Sequence, residues 1–230
     1  MKWLVAWLGG AVFVGSLALL AWWYFWWLGQ DLAGDGTRAL TFDAAIVLIF
    51  AGHHSVFARE SVKRRLTIIP PEMLTSFYVW VASLLLIAVP VLWKPIGGEV
   101  QNVSGPGASL LVAVQLLGLW IAARAVSGLD ALELAGIRQV IGPPSGMPRS
   151  RDLQVTGPYR IVRHPLYLGW VLMFFATPHM TIDRLAFASL TTIYLAVAVP
   201  WEERSLRKSY GDAYGIYAKR VRWRIVPFLY

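Results

Sequence analysis

Long apolar runs separated by short polar breaks set the plan of the chain. Trp3 to Leu28 contains no charged residue and ends in the ring cluster Trp22, Trp23, Tyr24, Phe25, Trp26 and Trp27. A helix needs about 20 such residues to cross the hydrocarbon core of a bilayer, and indole and phenol rings settle at headgroup level. The segment reads as a transmembrane span. A cleaved leader would have a shorter apolar region followed by a small-residue cleavage site. Apolar length predicts further spans at about Leu40–Phe57, Leu74–Trp93 and Ser109–Val126. The last apolar region, Leu166–Trp201, is too long for one crossing and is interrupted by Thr177, Pro178, His179, Asp183 and Arg184, which predicts a helical hairpin. Beyond Glu202, Leu206, Tyr210, Tyr214 and Tyr217 recur at helical spacing opposite Arg204, Arg207 and Lys208. That pattern predicts an amphipathic interfacial helix whose ring stripe serves packing.

The expected fold is therefore all-α: a polytopic transmembrane helical bundle of about five spans, with a cytoplasmic cap and a C-terminal amphipathic helix. Its expected division is a four-span region over residues 1–126, then a cytoplasmic segment, hairpin and tail over residues 127–230. Composition agrees. Of the 230 residues 57% are hydrophobic and 15% charged, which excludes an ordinary soluble globule and leaves no room for a large extramembrane domain. Cysteine is absent, so disulfides, thiolate nucleophiles and cysteine metal sites are excluded.

A net charge of +8 would be compatible with nucleic-acid binding, but its distribution argues otherwise. With the N-terminus placed in the cytoplasm, only Arg38, Lys94 and Arg184 of the 21 Lys and Arg residues fall outside. The remainder cluster at Lys2, Arg59–Arg65, Arg124–Arg163 and Arg204–Arg224, which is the positive-inside pattern. No nucleic-acid partner is expected; the bilayer itself is the partner, and the sequence leaves the oligomeric state open.

Three polar clusters carry candidate chemistry. The densest runs from Thr156 to Gly169, where the cytoplasmic segment enters the hairpin. Pro165 suits a first helical turn, and the dipole and unpaired N–H groups of such a turn favour an anion. His164 and Tyr167, three residues apart, share a face, and Gly169 permits close approach of backbone or ligand. The same residues also suit an interfacial anchor. Next comes Glu202-Glu203, an acidic pair close to the unfavourable end of a helix dipole. It requires either an arginine such as Arg163, Arg204 or Arg207, or a ligand offering positive charge or hydroxyls. Last is His53-His54 in the second span, where ionisable groups mark function or neutral packing. No metal site is expected, since no further ligand stands at a suitable spacing. A Rossmann nucleotide fold is excluded: Gly34-Asp35-Gly36 and Gly105-Pro106-Gly107 fall in outer loops and are expected to follow no strand.

The run Gly157-Pro158-Tyr159-Arg160-x-x-Arg163-His164-Pro165-x-Tyr167-x-Gly169, with Glu202-Glu203 and Tyr210-Gly211-x-x-Tyr214-x-x-Tyr217-x-x-x-Val221, resembles the isoprenylcysteine carboxyl methyltransferase and phospholipid N-methyltransferase superfamily of membrane enzymes. The resemblance covers about Arg151 to Pro227. It implies S-adenosyl-L-methionine in a cytoplasm-facing pocket, with contacts on Arg151, Asp152, Leu153, Gln154, Tyr159, His164, Pro165, Leu166, Tyr167 and Glu202. Isoprenylcysteine enzymes carry an arginine one turn before the residue matching Glu202, where it orients the substrate carboxylate; here that position is Ala198. In the first half, His54-Ser55-Val56-Phe57-Ala58-Arg59, Lys63-Arg64, Thr67, Tyr78 and Trp93-Lys94-Pro95-Ile96-Gly97-Gly98 resemble the bacterial methanethiol S-methyltransferases of the same superfamily. The implied activity is methyl transfer to a small thiol, methanethiol to dimethyl sulfide, in the bacterial inner membrane. His54, with His53 second, is the candidate for removing the thiol proton. The alternatives are a lipid amine or prenylcysteine carboxylate as acceptor, or a non-catalytic membrane accessory protein of nitrite and nitric oxide reduction.

Overall fold

The computed structural model describes residues 1–30, 32–57, 59, 62, 65, 67–142 and 153–230. Among these, five helical segments are long and apolar enough to cross a membrane: Lys2–Gly29, Thr37–Phe57, Pro71–Leu92, Gly105–Val126 and Ile182–Tyr210. The chain is an all-α, polytopic integral membrane protein. It resolves into two compact units, one of residues 1–98 with the described part of 129–148, the other of residues 99–128 with the described part of 149–230. The expected boundary at 126/127 differs from this division. The fourth long helix packs within the second unit, and residues 129–142 pack within the first.

In the first unit, α1 (Lys2–Phe25), α2 (Thr37–Phe57) and α3 (Leu74–Leu92) form the membrane-length elements; two short helices of the same unit come later in the chain, after α4 (Gly105–Val126) of the second unit. Gly9 lets α3 approach α1 closely: a Cβ there would fall 2.7 Å from the Trp80 ring nitrogen, which donates instead to the Val5 carbonyl at 3.0 Å. Asp43, fully buried on α2, accepts from the Lys94 backbone N–H at 2.9 Å, just beyond the end of α3. The loop at Gly34 is closed by backbone bonds from Asp35 to Pro95 and from Gly36 to Ile96. The short helices α5 (Ala131–Leu134) and α6 (Arg138–Ile141) follow α4 in the chain; Asp130 caps α5, and Ala135 and Ile137 pack on Ala6 and Phe13 of α1.

The second unit begins with β1 (Glu99–Asn102) and α4 (Gly105–Val126), and continues with α7 (Pro165–Phe175), β2 (His179–Thr181), α8 (Ile182–Tyr210) and α9 (Asp212–Arg220). Its closest helix contact joins α4 to α7. A Cβ on Gly118 would lie 2.8 Å from the Gly169 carbonyl, and one on Gly169 would lie 2.6 Å from the Gly118 carbonyl. Small residues at such a crossing let two backbones meet, the usual device for packing helices in lipid. Gly169 thus serves backbone approach.

The expected hairpin over 166–201 is present, but its limbs are unequal. Its first limb, α7, has 11 residues, about 16 Å of helix, which is short of a bilayer's roughly 30 Å. The chain then extends through β2, which pairs antiparallel with β1 across a bulge between Glu99 and Gln101. Gly105-Pro106-Gly107 therefore follows a strand and forms the first turn of α4. The strand belongs to this two-stranded antiparallel ladder and to no βαβ unit, so the exclusion of a Rossmann fold stands on topology. The tail helix is also divided: Gly211, at φ +54, ends α8 and α9 starts at the next residue.

Pro200 has a structural consequence in α8. A proline has no N–H, so the Ala196 carbonyl loses its intrahelical donor. The Tyr230 hydroxyl replaces it, donating to Ala196 O at 3.2 Å and drawing the chain's last residues onto the span.

Candidate active site

Two backbone bonds from the tail fix the start of α7. The N–H groups of Arg163 and His164 donate to the carbonyls of Trp223 and Arg224 at 2.9 and 2.8 Å. The His164 carbonyl in turn accepts from Tyr167 and Leu168, so His164 ends the turn and Pro165 opens the helix, as its fixed φ and missing N–H favour.

The acidic pair divides its tasks. Adjacent residues on a helix point about 100° apart, so Glu202 and Glu203 enter different surroundings. Glu203 is buried, its side chain 7% exposed, and accepts from Arg163 Nε at 2.6 Å. A second nitrogen of Arg163 donates to the carbonyls of Val221 and Arg222 at 2.7 and 2.9 Å, beyond the end of α9. Arg224 lies 3.6 Å from the other Glu203 oxygen. Arginine therefore compensates Glu203, and this pair ties α8 to the tail. Glu202 keeps 42% of its side chain exposed and, among the described residues, accepts a hydrogen bond from the Tyr167 hydroxyl at 2.8 Å. Its carboxylate is the one open to a ligand.

Around Glu202 the structure gathers five of the residues named from sequence. The His164 ring stacks on Tyr167 with centroids 5.3 Å apart and planes 7° apart. His164 Nδ1 lies 3.5 Å from Glu202, and Nε2 the same distance from Glu203. Tyr159 donates to the Ala125 carbonyl at the end of α4 and receives the Tyr217 hydroxyl on its own carbonyl. Burial, and after it the negative charge of Glu202, push the Tyr159 phenol above its ordinary pKa, so it stays protonated as a donor. Pro165 is buried in the first turn, beside the exposed Leu166.

Two other residues of that set make contacts with neighbouring residues. Leu153 packs against the cluster of Tyr214, Tyr217 and Val221, and Gln154 bonds the Thr156 hydroxyl at 3.2 Å. Arg151 and Asp152 lie outside the described residues. The stripe Leu206, Tyr210, Tyr214 and Tyr217 belongs to that same cluster and is packing. Among the described residues no group of three or more His, Asp or Glu is arranged to hold a metal ion.

His53 and His54 lie in the first unit near the end of α2. The Tyr78 hydroxyl and His54 Nδ1 share a hydrogen bond at 2.7 Å, and His53 stacks with Tyr78 and with Phe57 at 5.6 and 5.0 Å. His54 is the more exposed of the two.

These arrangements define a membrane helical protein with a carboxylate, phenol and imidazole patch at a helix start. Residues 110–213 match the family model described as phospholipid methyltransferase. A methanethiol S-methyltransferase of a Pseudomonas species is 36% identical over 80% of this chain and 72% of its own length. Methanethiol S-methyltransferase 2 of Bradyrhizobium diazoefficiens is 38% identical over 84% and 75%. Nurim of Bos taurus is 29% identical over 73% and 68%. No solved structure matches. The chain belongs to the methanethiol S-methyltransferase family of membrane methyltransferases.

Proposed function

We propose that this protein transfers a methyl group from S-adenosyl-L-methionine to methanethiol, giving dimethyl sulfide, at a cytoplasm-facing site in a bacterial inner membrane. The observation that carries the cofactor assignment is the open carboxylate of Glu202, held by Tyr167 and flanked by His164, beside the N-terminus of α7. This donor and acceptor set fits a ligand that carries a carboxylate, an ammonium and a ribose diol. The first turn of α7 favours the carboxylate, and Glu202 suits the ammonium or the diol. Tyr159 and Tyr167 add ring faces and, at Tyr159, a protonated hydroxyl. The cytoplasmic orientation rests on the charge distribution.

When bound, S-adenosyl-L-methionine supplies an electrophilic methyl group on a sulfonium. The chain's own residues must position an acceptor against it and exclude water. A thiol has to give up its proton, and an uncharged histidine accepts one. His54 suits that task in the tautomer whose Nδ1–H donates to the Tyr78 oxygen, because Nε2 then carries the free lone pair. His53, stacked on the same tyrosine, is second. Ala198 supports a small neutral acceptor: it offers no charge to a carboxylate substrate.

The test of the pocket is titration calorimetry with S-adenosyl-L-methionine on the purified protein in detergent. Tyr167→Ala and Glu202→Ala should lose binding while their melting transitions survive. Undiminished affinity in both variants contradicts the assignment.

A further inference from the structure

Residues 224–230 form a hydrogen-bonded loop with a hydrophobic tip that the methyl-transfer reading does not use. The backbone N–H groups of Arg224, Ile225 and Val226 converge on the Tyr230 main-chain oxygen at 2.9, 2.8 and 3.2 Å, closing a loop. At its turn Phe228 holds φ +66, the left-handed region that a bulky side chain adopts only at a cost. Phe228 and Leu229 are nonetheless 87% and 80% exposed, with Trp223 beside Phe228 at 5.3 Å. A strained backbone that presents two large apolar side chains outward needs an apolar environment to receive them.

The position of the loop says which environment that is. Tyr230 is bonded to Ala196, about 9 Å up the span from Glu202 at the helical rise. On the same helix Ile193, Val197 and Trp201 are exposed at four-residue spacing, the face of a helix that meets lipid. The tip is therefore fastened to a lipid-facing span near its charged end.

Beside the tip lies a cleft of about 430 Å³ lined by Arg160, Ile161, Arg220, Arg222, Trp223 and Phe228 among others. The volume falls in the range of about 300–1,000 Å³ usual for small-molecule sites. Arg160, Arg220 and Arg222 are exposed, and none forms an ion pair among the described residues. Guanidinium forks match phosphate oxygens, while aromatic and aliphatic side chains next to them suit the start of an acyl chain.

We propose that this cleft binds the phosphate of an anionic phospholipid of the surrounding leaflet, with Phe228 and Leu229 inserted at the boundary between headgroups and acyl chains. The lipid would hold the tail, and through its bonds to Arg163 and His164 the start of α7, in place. This assignment does not depend on the reaction proposed above.

The test uses the full chain in detergent, with lipid adducts counted by native mass spectrometry after exposure to equal amounts of phosphatidylglycerol and phosphatidylcholine. The wild type should retain phosphatidylglycerol preferentially, and Arg160→Gln/Arg222→Gln should reduce that preference roughly twenty-five-fold, at about fivefold per arginine. Arg220→Gln alone, expected to lose about fivefold, gives the same reading if the double variant fails to fold. Equal retention of the two lipids by the wild type overturns the proposal, as does an unchanged preference in the variants. So does displacement of phosphatidylglycerol by an equal concentration of inorganic phosphate, which would make the cleft a site for soluble anions.

Discussion

Arg163 and Glu203 form a buried ion pair at 2.6 Å, and the same arginine holds the carbonyls of Val221 and Arg222. Removing one partner leaves a buried charge uncompensated, which costs about 3–5 kcal/mol. Arg163→Ala should therefore lower stability by that order, while Glu202→Ala, at the neighbouring but open position, should cost about 1 kcal/mol, the worth of one hydrogen bond. Thermal unfolding in detergent measures both. Equal losses would mean that the two glutamates do not divide their tasks in this way.

The meeting of Gly118 with Gly169 sets the spacing of α4 and α7. Any Cβ at Gly118 falls within 2.8 Å of a backbone oxygen, which no rotamer can relieve. Gly118→Ala should destabilise by about 1–3 kcal/mol and weaken cofactor binding through displacement of Tyr167, which α7 carries. The checks are unfolding and calorimetry on one preparation. A neutral substitution would show that the helices pack with more room.

Three tyrosines near the tail should resist ionisation. Burial first, then the charge of Glu203, pushes Tyr214 up to about 12; burial, then neighbouring Tyr214, raises Tyr217; burial and Glu202 raise Tyr159. An unfolded tyrosine titrates near 10. Below that pH both states hold the proton, and the contribution to stability is fully present. As pH rises from about 10 the unfolded state ionises first, so stability falls progressively and is lost through the higher folded values. Phenolate absorbance should place these three among the late-titrating tyrosines, with the late phase reduced by one in Tyr214→Phe. Their titration together with exposed tyrosines would contradict the buried cluster.

Ala198 bears on acceptor choice. A carboxylate substrate deprived of a charged hydrogen bond loses about 2–5 kcal/mol, enough to lower turnover by orders of magnitude. Small alkyl thiols should be methylated and a farnesylated cysteine should not. Efficient methylation of the farnesylated compound would contradict a small-thiol site.

Apolar length made the long spans legible in the sequence, because lipid leaves a helix few alternatives. The His164 to Gly169 cluster and the acidic pair were legible as candidates. Sequence could not decide which glutamate is structural, since the answer depends on the face each presents and on Arg163, 40 residues away. Nor could it show the short first limb of the hairpin. Leu166–Trp201 is apolar throughout its flanks, and pairing of residues 179–181 with β1 is a tertiary choice. The Tyr230 contact was legible in half: Pro200 announces a carbonyl without a helical donor, but nothing local names the hydroxyl that satisfies it.

The central claim is best tested by supplying the purified protein with S-adenosyl-L-methionine labelled at its methyl group, together with methanethiol, and measuring labelled dimethyl sulfide in the headspace. The wild type should form the labelled product, and Glu202→Ala, folded by its melting transition, should lose at least about tenfold, the equivalent of one charged hydrogen bond. A folded, cofactor-loaded wild type that yields no labelled dimethyl sulfide would contradict the account.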